Sequence, residues 1–311
     1  MNSKGSETQA LRTRPTDLLG LLKKKILVGM GALGTNLAPS GFELGECIVT
    51  WLLDHPGVVE RLVREFVDAG SDLIEVASAA ANRFRLQPYG LQEKAAEFNF
   101  QITRLWREVT PSDRILLGTL GITSRFLEPA GEATFDEIYD SYYGQVENIA
   151  RGGVDAFWLL TMSDTREAGA AIKAIKDCTR LPVIASMVFD SNPRGFFTMM
   201  GINPQKAAED LQRWGADVVG TNCGGAKSRL EETSEIIRQM KSACECHLAA
   251  KPNAGNPQVA VGQPGYQITP EEMAAESLNW ISAGARIVAG CCGTTPEHIA
   301  KISEAVRKKQ F

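Results

Sequence analysis

Short runs of β-branched and other apolar residues recur along this chain and alternate with segments of helical periodicity. Eight of these runs read as buried strands: 25–29, 72–76, 114–118, 155–160, 182–186, 216–221, 248–251 and 286–290. Helical segments lie between them, among them 58–69, 135–151, 204–214, 231–244, 270–283 and 296–308. Regular alternation of strands and helices indicates a parallel sheet covered by its helices.

Four of the junctions between a helix and the next strand share a glycine. They read AGSD (69–72), GGVD (152–155), WGAD (214–217) and AGAR (283–286). Glycine at this place is the usual left-handed residue that ends a helix. Eight strand–helix units with one recurring junction predict an α/β protein, a single (β/α)8 TIM barrel over residues 17–311.

An open, doubly wound sheet is the alternative architecture. It requires a phosphate-binding glycine loop after an early strand, and the one candidate is GMGALG (29–34). No acidic residue ends a second strand about 20 residues later, as that loop requires in dinucleotide-binding proteins. The barrel is therefore the preferred prediction.

The composition is that of a globular protein with no electrostatic attraction to polyanions. Of 311 residues, 44% are hydrophobic and 23% charged, and the net charge is −4. This balance gives no reason to expect nucleic acid or an anionic membrane as partner. Residues 1–16 lack the apolar run of a signal peptide and read as a flexible tail, so we expect a cytoplasmic protein.

The chain contains seven cysteines, an odd number that argues against a disulfide framework in the absence of a secretion signal. Cys223 follows the sixth predicted strand, and Cys291 and Cys292 follow the eighth. Barrel closure brings the three thiols to the C-terminal rim, where chemistry is assembled in this fold. Three thiolates with room for a fourth ligand describe a catalytic zinc site. The alternative is that they are small buried side chains at strand ends.

The other cysteines are predicted to be structural. Cys244, Cys246 and His247 form a C-x-C-H sequence that resembles a metal motif, but it lies at a helix–strand junction at the opposite end of the barrel. A packing role is the preferred interpretation there. Cys47 and Cys178 occupy helix or loop positions and receive no functional assignment.

GTNC (220–223) and GCCGT (290–294) together resemble the homocysteine S-methyltransferase family, which includes betaine–homocysteine methyltransferases and the N-terminal barrel of cobalamin-dependent methionine synthase. The resemblance covers nearly the whole chain, through MGALGTNL (30–37), ANRFRL (81–86), TFDEIY (134–139), KPNAG (251–255) and GCCGTTPEHI (290–299). It implies a barrel with Zn²⁺ bound by Cys223, Cys291 and Cys292. It also implies Asn253 as a candidate for the fourth zinc position when substrate is absent.

The chain departs from the family pattern where members bind an amino acid. In the family, zinc binds the sulfur of homocysteine, an aspartate after strand one and a glutamate ending strand four contribute carboxylates, and strand two carries T-N-T-F. Here Met30 and Leu160 replace the carboxylates, and VASA (76–79) replaces the strand-two motif. An unpaired ammonium is costly to bury, so we expect homocysteine to be a poor substrate.

Apolar residues at the predicted rim suggest a different substrate. Those assigned to substrate binding are Met30, Ala77, Leu160, Met162 and Phe196, with Trp158, Phe197, Met199 and Met200 nearby. The alternative is that these side chains only pack the top of the barrel. The sequence predicts a zinc-dependent demethylating methyltransferase that moves a methyl group from an apolar or aromatic methyl ether to Co(I) of a separate corrinoid protein. Glu75 is a candidate general acid, or else a paired structural carboxylate.

Two other functions remain open. One is a homocysteine or selenocysteine methyltransferase that holds its amino acid through other groups, such as Asp164 and Asp190. The other is a non-catalytic, zinc-stabilised binding protein. The sequence gives no indication of the oligomeric state.

Overall fold

A computed structural model of the chain describes residues 17–43, 45–224, 230–255, 258–260 and 263–310. The predicted tail, residues 1–16, lies outside this range. The strands are β1 Leu27–Val28, β2 Leu73–Glu75, β3 Ile115–Leu120, β4 Ala156–Met162, β5 Val183–Met187, β6 Asp190–Asn192, β7 Gly195–Phe197, β8 Val218–Cys223, β9 His247–Pro252, β10 Gln258–Ala260, β11 Gln263–Gly265 and β12 Ala285–Val288.

The helices alternate with these strands. They are α1 Leu18–Lys24, α2 Ile48–Asp54, α3 Pro56–Asp68, α4 Arg83–Leu86, α5 Ala95–Val109, α6 Phe135–Gly152, α7 Thr165–Cys178, α8 Pro204–Trp214, α9 Glu232–Lys241, α10 Pro270–Ala283 and α11 Pro296–Gln310. Short 3₁₀ helices cover Gly34–Asn36, Ala38–Ser40, Gln87–Tyr89 and Gln92–Lys94. Every helical segment predicted from the sequence is present, with ends that differ by at most three residues.

Eight strands form one parallel sheet in the order β1-β12-β9-β8-β5-β4-β3-β2. A parallel bridge between Gly29 and Leu73 connects β1 to β2 at the remaining edge. The Met30 N–H also donates to the Leu73 carbonyl, at 3.1 Å. These contacts join the first and last strands of the order, so the predicted (β/α)8 barrel is confirmed.

An apolar cluster fills the barrel. Its buried members are Leu18, Leu22, Leu27, Leu73, Ile115, Leu117, Ala156, Trp158, Ile184, Val218, Ala249, Ile287 and Ala289. Two of them, Leu18 and Leu22, belong to α1, which precedes the first strand. The sequence analysis does not predict this helix. Because they pack with the inward side chains, α1 covers the N-terminal end of the barrel. A second, larger cluster packs between the strands and the outer helices.

The four predicted glycine junctions are confirmed. Gly70, Gly153, Gly215 and Gly284 all have positive φ, between 96° and 122°. A side chain other than glycine is strained in this region, which explains why these helices end where they do.

Two small hairpins, β6–β7 and β10–β11, extend from the carboxyl ends of the barrel strands. They follow β5 and β9, and the sequence pattern does not predict them. In the part of the chain that the structure describes, no helix combines the length and apolarity needed to cross a membrane.

Candidate metal centre

The thiols of Cys223, Cys291 and Cys292 converge at the carboxyl end of the barrel. Cys223 is the last residue of β8, and the other two follow β12 after a short turn. Their three sulfur atoms lie within 4.8 Å of one another, and Cys223 Sγ is 2.9 Å from Cys291 Sγ. Tetrahedral zinc with bonds of about 2.3 Å separates its sulfur ligands by roughly 3.8 Å. The donor set suits a thiophilic metal, and Cys223 Sγ and Cys291 Sγ would move apart to hold one.

Strand β9 lies between β8 and β12, and its end holds the two cysteine segments in register. Cys291 N–H donates to the Pro252 carbonyl at 2.8 Å, and Ala254 N–H donates to the Cys292 carbonyl at 2.9 Å. Asn253 Oδ1 accepts from the Cys292 N–H at 3.0 Å. The PNAG segment thus orients the adjacent cysteines, and the role of Asn253 as a fourth ligand stays a prediction.

Asn222 connects the triad to the end of β4. Its Oδ1 accepts from the Thr161 N–H at 2.6 Å, and its Nδ2 donates to Thr161 Oγ1 at 2.8 Å. The same Nδ2 lies 3.5 Å from Cys223 Sγ and 3.9 Å from Cys291 Sγ. Thr161 and Cys223 both have positive φ, 61° and 59°, which is unfavourable for side chains of this kind. Strained backbone of this type concentrates at functional sites, where surrounding contacts hold it.

Hydrogen bonds among the sulfur atoms control the protonation of the triad. Bonds from Cys223 and Cys291 lower the pKa of Cys292 to about 3, and the Lys251 charge and a hydrogen bond with Tyr266 contribute in the same direction. Sharing protons with its two neighbours raises the pKa of Cys223 well above its usual range. The triad therefore holds one thiolate readily at neutral pH, and thiolates are the form that binds metal.

A buried ion pair stands in the barrel interior beside the triad. Lys251 Nζ lies 2.7 Å from Glu75 Oε1, and both side chains are almost completely buried. The ammonium also donates to the carbonyls of Gly290 (2.6 Å) and Met30 (3.2 Å). It lies 5.4 Å from the centre of the Trp158 ring.

The two partners affect each other's ionisation. Desolvation raises the pKa of Glu75, and the Lys251 charge opposes that rise. Desolvation lowers the pKa of Lys251, but Glu75 and the neighbouring thiols outweigh it, so the pKa of Lys251 is raised. Lys251 is therefore a permanent cation next to the thiols. The assignment of Glu75 as a general acid stays a prediction. Its contact with Lys251 agrees with the other interpretation, in which Glu75 is a structural carboxylate that pairs with a cation.

The residues assigned to substrate binding occupy different surroundings. Leu160 is half-buried and packs against the cluster inside the barrel. Met30, Ala77 and Met162 belong to the larger cluster between strands and helices, and Phe196 in β7 packs against it. Met30 Sδ also accepts from the Glu75 N–H at 3.1 Å. Contact of these five residues with a substrate stays a prediction.

The remaining four cysteines, Cys47, Cys178, Cys244 and Cys246, all pack against the larger cluster. Cys244 and Cys246 share a hydrogen bond, which lowers the pKa of Cys244 to about 7. Cys246 Sγ also donates to the Ala216 carbonyl, at 3.3 Å. Among the described residues, the triad is the one group of three or more His, Cys, Asp or Glu side chains close enough to hold a metal ion.

Sequence reasoning misses two residues of the site. Lys251 lies in KPNAG and Asn222 in GTNC, but neither motif by itself assigns them a role. The available signal for Lys251 is a single charged residue in an otherwise apolar strand, in the same alternation phase as Ala249. A buried charge in that position requires a partner.

A family model described as homocysteine S-methyltransferase matches residues 27–306 of the chain. Methionine synthase from Mycobacterium leprae is 28% identical in an alignment 311 positions long that covers 94% of this chain and 25% of that protein. The chain thus spans about a quarter of the length of the curated relatives it matches.

Solved structures share the fold. The metallated form of the homocysteine methyltransferase MmuM from Escherichia coli superposes with a TM-score of 0.75 at 20% identity, covering 92% of this chain and 98% of that one. A methyltransferase from Methanosarcina mazei superposes with a TM-score of 0.59 at 10% identity, covering 94% and 98%.

Proposed function

Because the chain belongs to the homocysteine S-methyltransferase family, we propose that it is a zinc-dependent methyltransferase acting on a neutral methyl donor. The donor is an apolar or aromatic methyl ether, and the acceptor is Co(I) of a separate corrinoid protein. One observation carries the choice of donor: the carboxylate inside the barrel next to the thiols is already neutralised by Lys251, at 2.7 Å.

The other buried carboxylates of the described chain are engaged as well. Asp155 lies 3.2 Å from Arg107 and accepts from the Leu116 N–H. Glu167 accepts from the Thr123 backbone N–H and hydroxyl, both at 2.7 Å. A zwitterionic amino acid needs partners for both of its charges when it leaves water. A neutral ether needs none, and it suits an interior formed mainly by apolar side chains.

The three cysteines would hold zinc, because thiolates are soft ligands and zinc favours sets of three protein ligands in catalytic sites. When bound, zinc would act as a Lewis acid that stabilises the charge developing on the heteroatom as it loses its methyl group. The heteroatom keeps the electron pair of the broken bond, and Co(I) supplies the pair for the new carbon–cobalt bond.

The chain's own residues prepare the site for this transfer. Asn222 orients the Cys223 and Cys291 thiols, and the PNAG segment orients Cys292. The fixed charge of Lys251 offsets the negative charge of the thiolates. Leu160, which packs against the cluster inside the barrel, would exclude water around the donor. A phenolate leaving group takes a proton afterwards, and Glu75 could supply it only after taking up a proton itself, since its carboxylate is paired with Lys251 at 2.7 Å.

A methyl-transfer assay tests the proposal. The zinc-loaded protein is offered methoxylated aromatics and methylamines with a Co(I) corrinoid protein, and homocysteine in a parallel reaction. We expect methyl–cobalt formation from an ether and little methionine. Cys291→Ser should abolish transfer, and Cys178→Ser, a cysteine distant from the site, should leave it unchanged. Efficient methionine formation with every ether inert would overturn the proposal.

Glu75→Gln separates the two roles considered for that residue. A large loss of turnover with zinc still bound supports the acid role. Retained turnover with reduced stability supports a structural partner for Lys251.

A second candidate is homocysteine S-methylation, because it is the activity for which the matched family is described. Asp164 and Asp190 are the carboxylates that the sequence offers for binding an amino acid. Asp164 Oδ1 accepts from the Arg166 N–H at 2.7 Å at the start of α7, and Asp190 is exposed at the start of β6. Neither carboxylate therefore gives a reason to prefer homocysteine over a neutral methyl ether as the substrate. Turnover of any methylated compound would exclude a non-catalytic zinc protein.

A further inference from the structure

Residues 266–268, which follow the β10–β11 hairpin, lie beside the thiol triad. Ile268 N–H donates to the Ala254 carbonyl at 3.1 Å, and Ala254 N–H in turn donates to the Cys292 carbonyl at 2.9 Å. His298 holds the same segment, because its Nε2 donates to the Ile268 carbonyl at 2.9 Å. The Thr295 N–H donates to His298 Nδ1 at 3.2 Å, which leaves the ring proton on Nε2. The segment is therefore anchored both to PNAG and to α11.

The first residue of this segment, Tyr266, packs its ring directly on the turn that contains the adjacent cysteines. A β-carbon added to Gly293 would lie 2.6 Å from Tyr266 Cβ and closer still to the ring, so only glycine leaves room for the ring here. Gly293 has a φ of 80°, and its N–H donates to Thr35 Oγ1 at 3.3 Å. The close approach fixes the tyrosine ring against GCCGT (290–294).

The hydroxyl of the same side chain contacts one sulfur of the triad. Tyr266 forms a hydrogen bond with the Cys292 thiol, and the charges of Cys223 and Cys291 act on it as well. A phenol carries its proton at neutral pH, whereas a thiolate has no proton to give, so the hydroxyl donates and the sulfur accepts. Tyr266 thus contacts the cysteine turn through both its ring and its hydroxyl.

The other two sulfur atoms have a donor of their own. Asn222 Nδ2 lies 3.5 Å from Cys223 Sγ and 3.9 Å from Cys291 Sγ. Among the described residues, Tyr266 is the one hydrogen-bond donor outside the triad that contacts the Cys292 sulfur. Three thiolates around a divalent ion carry an excess negative charge, which hydrogen bonds to the sulfur atoms help to disperse. Tyr266 and Asn222 together supply such bonds to the whole triad.

We propose that Tyr266 is a positioning residue of the metal centre: its ring covers the Gly293 side of the site, and its hydroxyl holds the Cys292 sulfur in the orientation that binds zinc. The inference rests on the proposed function, which assigns zinc to the triad. Residues that form hydrogen bonds with metal ligands orient those ligands and adjust their basicity, and their loss weakens metal binding. Tyr266 has this role for Cys292.

Tyr266→Phe tests the hydroxyl alone, because phenylalanine keeps the ring against Gly293. Competition with a chromophoric chelator measures the zinc affinity, and we expect the Kd for zinc to rise about tenfold. The metal-free variant should melt at the same temperature as the metal-free wild type. In protein loaded with Co²⁺, the sulfur-to-cobalt absorption bands should move to lower energy, because the Cys292 thiolate loses a donor that stabilises its charge. A tyrosine that only packs would leave the Kd and the bands unchanged.

The matched control is Tyr139→Phe. The Tyr139 hydroxyl donates to Asp177 Oδ2 at 2.8 Å, between the outer helices α6 and α7. This variant also removes one hydrogen-bonded tyrosine hydroxyl, and it should bind zinc and cobalt as the wild type does. A wild-type Kd or unshifted bands in Tyr266→Phe, or an equal change in the control, overturns the role of Tyr266. A wild-type protein that binds neither Zn²⁺ nor Co²⁺ overturns the zinc dependence of the proposed function instead.

Discussion

Lys251 is the residue whose contacts most change the chemistry of this barrel. Its ammonium binds Glu75 and two backbone carbonyls, of Gly290 and Met30, within 3.2 Å. All three of its protons are thus used, and no water is needed to satisfy them. Removing one partner of such a pair leaves an uncompensated charge in a dry interior.

Lys251→Met should therefore destabilise the protein strongly, by about 3–5 kcal/mol, because it strands the Glu75 carboxylate. Lys251→Met/Glu75→Leu should cost much less, since both charges are removed together. Urea unfolding monitored by circular dichroism gives the two free energies. Equal losses in the single and the double variant would mean that packing around Lys251, and not its charge, is what matters.

The sequence can predict where Glu75 and Lys251 point, but not that they meet. By alternation along β2, Glu75 points inward like Leu73. By alternation along β9, Lys251 points inward like Ala249. Their contact spans 176 residues of chain and crosses the barrel interior from β2 to β9. That distance depends on the radius and shear of the closed sheet, which alternation along a single strand does not encode. The three cysteines of the triad are easier to place, because strand ends on one rim converge in any barrel.

At the scale of single elements, α6 and α10 begin with the same N-terminal capping arrangement. The Thr134 hydroxyl accepts from the Glu137 N–H, and the Glu137 carboxylate accepts from the Thr134 N–H at 2.9 Å. Thr269 and Glu272 repeat this arrangement in α10. Such capping boxes satisfy backbone donors that the first turn of a helix leaves unpaired.

Loss of the cap in Thr134→Ala should lower the free energy of unfolding by about 1 kcal/mol. Thr269→Ala removes the same cap from α10 and should have a similar effect. The control is Thr50→Ala, because the Thr50 hydroxyl donates to the Cys47 carbonyl and caps no helix N–H group. Chemical unfolding measures all three changes. A Thr134 variant as stable as the wild type would show that the start of α6 is held by tertiary packing alone.

The carboxylate of the same cap predicts a pH dependence. The hydrogen bond from the Thr134 backbone holds the pKa of Glu137 below its ordinary value of 4.5. A depressed carboxyl pKa contributes stability above that ordinary value and loses it as the pH falls through the lowered one. The stability difference between wild type and Glu137→Gln should therefore shrink below about pH 4.5. A stability difference that stays constant as the pH falls through this range would contradict this role of the Glu137 carboxylate.

The elements themselves are largely predictable because parallel strands are buried on both faces and read as continuous apolar runs. Helix α1 escapes prediction, since LLGLLKK stands before the first strand, where no alternating unit requires a helix. The hairpin β6–β7 escapes it because its strands, of three residues each, are too short to produce a pattern. Both belong to the ends of the barrel rather than to its repeating wall.

For the whole molecule, the triad connects two strands that are not hydrogen-bonded to each other. Cys223 ends β8, Cys291 and Cys292 follow β12, and β9 separates the two strands. A metal bound by all three thiols therefore adds a cross-link across the top of the barrel. It would bind the folded chain far better than the unfolded one, which stabilises the fold by mass action.

Chelation should lower the melting temperature of the metal-loaded protein. A metal present at a hundred times its Kd contributes about 2.7 kcal/mol, equivalent to roughly 4–5 °C for a domain of about 300 residues. Cys291→Ser should melt at the same temperature with and without chelator, and Cys178→Ser should behave like the wild type. A melting temperature that chelator leaves unchanged in the wild type would contradict metal binding by the triad.

The placement of the thiols also sets an order of events during synthesis. Cys223 leaves the ribosome 68 residues before Cys291, and β12 must insert between β9 and β1 before the thiols meet. A nascent chain that lacks β12 contains Cys223 but neither Cys291 nor Cys292. Its sheet is open and has two unpaired edge strands. A metal held by all three thiols would therefore be captured only after the barrel has closed.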